Sequence, residues 1–380
     1  MTLPTRLSSL ACGALLAAIT HTAAAVSPQR TFVSTGGNDA NPCSLALPCR
    51  GFGAAMAIVA SNGEVVALDS GGYGAVVVNK SVEIIAPPGV YAAITASAGT
   101  GIQIVSPAQN VAIRGIAING LGTGQFGIDV QFGANIIVDR CRIANFTQDG
   151  LRSTTGPRLT LRDSDIRFNG NNGLTITTGQ NTIERTTLAH NTKNGADVSG
   201  GSVAFADSTV VGNSMVGIRV SDTTLITITG GEVLHSGQHG VFLDGSVPGG
   251  WIRAAIDRAN ISSNALGGIF ANASSTTAIV QLTVARSLFV ENFSGLVGAT
   301  GSGTAAKIFV SDSVFERNAQ EGLSISGVGA EMTISSNVVT GSGNGVGKFS
   351  FGVMYTRQNN TVRDNTNNVV NGPFTILGGV

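Results

Sequence analysis

Arg140, Asp163, Arg185 and Asp207 stand 23, 22 and 22 residues apart, and their charges alternate in sign. One position earlier, Asp139, Arg162 and Glu184 alternate in the opposite phase. If the chain lays these residues over one another, every charge faces opposite charges along and across the stack. Two uses follow. The first is structural pairing, which demands such alternation and in which each exposed pair contributes less than about 1 kcal/mol. The second is a polar groove for an anionic or neutral sugar chain, with Arg140, Arg142, Arg162 and Arg185 as binding groups and Arg152 widening it. Asp163, Asp165 and Arg167 are the candidates for acid and base chemistry on that flank, because cleaving a glycosidic bond needs paired acidic groups. His190 and His235 share a second position, two repeats apart with Gly212 between them. Two imidazoles can serve as acid and base. No carboxylate is placed to orient either ring, so solvated corner residues are the preferred reading. Trp251, the only tryptophan, has a face that can stack on a sugar ring or pack at the edge of a core.

These spacings require a repeating scaffold. Asn169, Asn191, Asn213, Ser236, Asn264, Asn292, Asn318 and Ser342 follow one another at 22 to 28 residues. Three residues before each stands an apolar side chain: Ile166, Leu188, Val210, Val233, Ile261, Phe289, Phe315 and Val339. That column is expected to be buried. Gly173, Gly195, Gly217, Gly240, Gly268 and Gly322 follow the turn by four residues, where positive φ or close backbone approach needs glycine. Cys141 falls in a column of small residues, Ser164, Thr186, Ser208, Ser287 and Ser313, and reads as a packed thiol. No repeat carries a helical period, so stacked short strands are expected, with amide ladders along the asparagine column. The fold expected is all-β, a single parallel β-helix solenoid with a short N-terminal capping helix.

Composition agrees. There are 52 glycines, 5% aromatic and 12% charged residues, and a formal net charge of zero. No basic footprint for nucleic acid is present.

Residues 1–25 read as a cleaved export signal, with Arg6, an apolar run from Leu10 to Ile19, and Ala23-Ala24-Ala25. No later run is long enough for a membrane anchor, so a secreted or periplasmic chain is expected. Residues 26–64 form the N-terminal cap, in which Phe52 to Val59 is a short amphipathic helix. Cys43 and Cys49, within NPCSLALPC, are expected to form a disulfide in that oxidising compartment. Residues 65–345 are the coils, and 346–380 the last coil and C-terminal cap. Asn38, Asp39 and Asn41 offer oxygens of the kind calcium takes. They are also the residues of Asx turns, and no metal or cofactor is expected.

The tandem coils from about Ile136 to Ile325, with the entrance TFVSTGGNDANPCSLALPCRGFGAAMAIV, resemble the right-handed parallel β-helix repeats of the pectin-lyase-like superfamily. The resemblance implies this fold over nearly all of the mature chain. For function it implies only a range, from pectate lyases, polygalacturonases, epimerases and tailspike glycosidases to non-catalytic adhesins. Polygalacturonases carry Asn-Thr-Asp, Asp-Asp and Gly-His-Gly motifs. Here only Gln238-His239-Gly240 comes near, without the carboxylates. No acidic trio of the pectate-lyase kind stacks in one column. The expectation is therefore an exported β-helix protein that contacts extracellular or cell-wall polysaccharide. The rivals are a structural or adhesive surface protein and a divergent polysaccharide lyase or glycoside hydrolase. Oligomeric state is not legible.

Overall fold

The computed structural model describes residues 27–105, 110–301 and 304–378. The export signal expected over residues 1–25 lies outside them. The described chain winds as a right-handed parallel β-helix whose three sheets contain 15, 13 and 13 strands, each strand pairing with its counterpart one coil away. The first sheet runs from Arg30–Val33 to Thr375–Ile376, the second includes Arg142–Ala144 and Asp165–Arg167, and the third includes Leu151–Ser153 and Leu174–Ile176.

Register follows the hydrophobic columns. Ile143 pairs with Ile166, Ile166 with Leu188 and Leu188 with Val210, and every member of that column from Ile143 to Val339 is at most 2% exposed. Slipping one strand by a residue would turn its apolar set outward, so burial fixes the stack. Phe289 and Phe315 continue the column as parallel rings 4.5 Å apart.

The turns are held by side-chain ladders. Asn169 Nδ2 donates to Asn191 Oδ1 at 3.0 Å, and Asn191 Nδ2 to Asn213 Oδ1 at 3.0 Å. Each oxygen also accepts the backbone N–H of the preceding coil's asparagine. The small column of Cys141 turns out to be a second ladder: Ser164 Oγ accepts from the Cys141 N–H, and Ser208 Oγ from that of Thr186. Cys141 itself is buried, and burial pushes its thiol up to about 11.

The two explanations offered for the glycine column separate here. None of these glycines has positive φ. A Cβ on Gly195 would lie 2.6 Å from Gly217 O and 2.5 Å from Val210 Cγ1, so close approach is the reason. The left-handed backbone falls instead on the charged corner, with φ of 51° at Arg140, 49° at Asp163, 44° at Arg185 and 47° at Asp207.

Helix Phe52–Ile58 buries Phe52, Ala55 and Met56, an i, i+3, i+4 face. The Cys43–Cys49 disulfide is formed and buried. Asp39 Oδ1 accepts from the backbone N–H groups of Arg50 and Gly51 at 2.8 Å, holding the entry to the helix. Asn38 Oδ1 accepts from Ala40 N, and Asn41 Nδ2 donates to Pro48 O. Burial would raise the Asp69 carboxyl, yet hydrogen bonds from Tyr73, Thr35 and Ser34 hold it down at about 2. Among the described residues no helix is long and apolar enough to cross a membrane.

Candidate functional site

The alternating corner is realised as a ladder of ion pairs. Asp139, with its side chain 4% exposed, lies 2.9 Å from Arg114 Nη1, 3.3 Å from Arg162 Nε and 3.5 Å from Arg140 Nη2. Arg185 donates to both oxygens of Asp163, at 2.7 and 2.9 Å. This bond, ahead of any other cause, lowers the Asp163 carboxyl below its ordinary range. Arg167 Nε donates to Asp165 at 2.7 Å, which leaves Arg142 at 3.9 Å from that carboxylate and 61% exposed. Pairing in the stack therefore uses Asp163, Asp165, Arg162, Arg167 and Arg185. Asp139→Ala is expected to cost about 2 kcal/mol, because it strips a buried acceptor from three guanidinium groups. Asp163→Asn, on the exposed side and of a residue type that keeps the left-handed backbone there, is expected to leave the urea midpoint almost unchanged. Equal effects of the two variants would contradict this division.

Arg142 faces a cleft over the second sheet. The sheet's outward positions carry Ala117 and Ala144 beside Arg142, and these short side chains leave a shallow floor. One lobe of about 330 Å³ is bounded by Tyr91, Arg142 and Phe168. The other, of about 700 Å³, lies at the corner between Leu121, Thr147 and Thr192. Asn119, Asn145 and Phe168 line both lobes. Phe168 occupies the corner with φ 56° and stacks on His190 at 5.4 Å, which fixes its ring although it is half exposed. Tyr91 is 63% exposed. Asn145 Nδ2 donates to Asn119 Oδ1 at 3.2 Å, leaving Asn119 Nδ2 and Asn145 Oδ1 for a ligand. Arg142 is the one charged residue among those that line the two lobes.

The histidines are not brought together. His190 and His235 are exposed and stand two coils apart, about 10 Å along the axis. Trp251 is half-buried under Arg253, whose guanidinium lies 5.1 Å from the ring centroid.

A third set of groups escaped the sequence reading except for Arg152, which was expected to widen the groove at the charged corner and lies instead on a different sheet, because its strand Leu151–Ser153 follows the turn. On the outer face of the third sheet Asp129, Arg152, Thr175, Asp197 and Arg219 pair in register, coil upon coil. Arg152 donates to Asp129 at 2.6 and 3.1 Å and lies 3.7 Å over the ring of Phe126. Arg219 joins two carboxylates, Asp197 at 3.2 Å and Asp244 at 2.6 Å. Burial pushes the Asp197 carboxyl up, against the pull of Arg219. Beside this row His239 is enclosed by Phe242 and Phe270, and burial pushes it down to about 4, so it is neutral at neutral pH. The steps of 23, 23, 22 and 22 residues from Asp129 to Arg219 were the available signal.

Residues 63–203, 153–309 and 200–367 each match the family described as "Right handed beta helix region". No curated protein matches the sequence. Among solved structures the A-module of the mannuronan C-5 epimerase AlgE6 of Azotobacter vinelandii superposes with a TM-score of 0.50 at 14% identity, covering 84% of this chain and 91% of that one. The pectate lyase Pel9A gives 0.45 at 15% identity over 90% of this chain and 80% of that one. The catalytic unit of a GH87 alpha-1,3-glucanase from Streptomyces thermodiastaticus strain HF3-3 gives 0.46 at 16% identity over 84% and 61%.

Proposed function

We propose that this chain, which belongs to the right-handed β-helix family, is exported and binds linear extracellular or cell-wall polysaccharide in the cleft over its second sheet. The observation that carries the reading is the cleft itself: two lobes joined through Asn119, Asn145 and Phe168, with exposed aromatic rings along it and a single cation, Arg142. Apolar ring faces meet the C–H faces of sugars, and amides meet their hydroxyls. An exposed arginine whose nearest carboxylate, Asp165 at 3.9 Å, is already engaged by Arg167 favours glycans that carry acidic units. No carboxylate lines the cleft, so the role assigned to it is binding, without catalysis. Export is supported by the leader-like residues 1–25 and by the disulfide.

Purified protein titrated with uronate and neutral polysaccharides is expected to bind and to release neither unsaturated products nor new reducing ends. Phe168→Ala and Tyr91→Ala should each weaken binding about tenfold, and Arg142→Gln should weaken it for acidic glycans alone. Unchanged affinity in both aromatic variants would remove the cleft from the account. One observation favours a second reading, a polysaccharide lyase or hydrolase: the raised carboxyl of Asp197 among Arg219 and Asp244 on the third sheet. Turnover that disappears in Asp197→Asn would establish that alternative.

A further inference from the structure

Most arginines of this protein sit in ion pairs, as the ladders above require. Arg253 does not, nor does Lys307; among the described residues neither has a carboxylate within 4 Å. Both are exposed on the outer face of the first sheet, where Arg253 pairs in register with Gln281 and Gln281 with Lys307. The two cations therefore stand two coils apart, about 10 Å along the axis, with a neutral amide between them. Apolar groups flank this column. On one side is Ile279, 45% exposed, next to Trp251 in the stack; on the other is Phe309, 52% exposed, over Thr283. A shallow hollow of about 280 Å³ runs between Arg253, Gln281, Thr283 and Phe309. Trp251 supports the Arg253 guanidinium from beneath, which limits the freedom of that side chain.

We infer that this strip is a second binding site, for a linear glycan that carries an acidic group on every other sugar. The coil repeat is close to the length of one sugar ring in an extended chain, so a glycan lying along the axis meets one coil per sugar. A chain with alternate acidic units then places its charges on Arg253 and Lys307 and a neutral sugar on Gln281. Exposed Phe309 and Ile279 receive the C–H faces of the rings. A chain charged at every unit would set one carboxylate against the uncharged Gln281. Nucleic acid fits less well, because its affinity rests on many phosphate contacts and the strip offers two cations on a chain of zero formal net charge. Glu331 follows Lys307 in the same column and closes the strip to further anions. The inference does not rest on the cleft over the second sheet.

The test uses the purified protein with three hexasaccharides: hyaluronan, acidic at alternate sugars; galacturonan, acidic at every sugar; and cellohexaose, uncharged. Trp251, the sole tryptophan, reports on this strip alone. Hyaluronan is expected to change its fluorescence and to bind at least as tightly as galacturonan despite half the charge, with cellohexaose weakest. By calorimetry Arg253→Gln and Lys307→Gln should each lower hyaluronan affinity about tenfold. Tyr91→Ala, in the other cleft, should leave the fluorescence response intact. Affinities that rank by total charge would overturn the inference. So would unchanged binding in both cation variants, equal binding of a short single-stranded DNA, or self-association of the protein that Arg253→Gln abolishes.

Discussion

Gly195→Ala, the addition of one methyl group, is expected to destabilise this protein by at least about 3 kcal/mol. The new Cβ would lie 2.5 Å from Val210 Cγ1, 2.6 Å from Gly217 O and 2.8 Å from Asn213 Nδ2. Two of these three neighbours belong to the next coil's backbone and to its amide ladder, so neither can swing aside without breaking a hydrogen bond. The effect is one of space, since Gly195 has no positive φ to be strained. Gly53→Ala is the control. Nothing lies within 4 Å of its added Cβ, and in the exposed face of a short helix alanine should add roughly 0.5 to 1 kcal/mol of stability. Urea denaturation of the two variants checks the pair, and equal midpoints would refute the packing argument.

Asn191→Ala should cost more than an ordinary buried hydrogen bond, about 5 kcal/mol. Asn191 is fully buried. Its Oδ1 accepts the N–H and the side-chain amide of Asn169, while its Nδ2 donates to Asn213 Oδ1 and to Ile166 O. Removal strands donors on one side and acceptors on the other inside a fully buried turn. Because each coil touches only its neighbours, the damage should begin locally. Amide exchange is expected to accelerate first around Asn169 and Asn213 while the strands near Ile308 keep their protection. A uniform loss along the whole chain would contradict the coil-by-coil account.

The parts of the fold that repeat were legible in the chain. A buried position such as Ile166 recurs with one chemistry at one step, as do Asn191 and Ser208, and stacking leaves no other use for such columns. Helix Phe52–Ile58 was legible from the periodicity of a few adjacent residues, and the Cys43–Cys49 disulfide from two cysteines close together in a chain expected to be exported. The glycine column was legible in position but ambiguous in cause, because a sequence does not distinguish left-handed backbone from close approach. Arg140 and Arg185, which do adopt positive φ, are of a residue type that gives no hint of it, whereas Asp163 and Asp207 are of a type that tolerates it.

The candidate site was legible only in part. Arg142 was named, but Tyr91 and Phe168 were not joined to it, since they sit at corners several coils apart and become one cleft through winding. Arg152 was named but assigned to the wrong flank, and the rest of the third-sheet row lay hidden because Asp129, Arg152, Thr175 and Asp197 change type at each step, so no single chemistry marks the column. Arg253 and Lys307 stand out only when the ion pairs of all the other columns are known.

Hydrogen exchange of the purified protein with and without a bound acidic polysaccharide tests the central claim most directly. The account predicts new protection in the backbone of residues 119–124, 145–148 and 168–171, with no cleavage product accumulating. Protection confined to the third sheet around Asp197 and Arg219, together with release of shortened glycan, would contradict it.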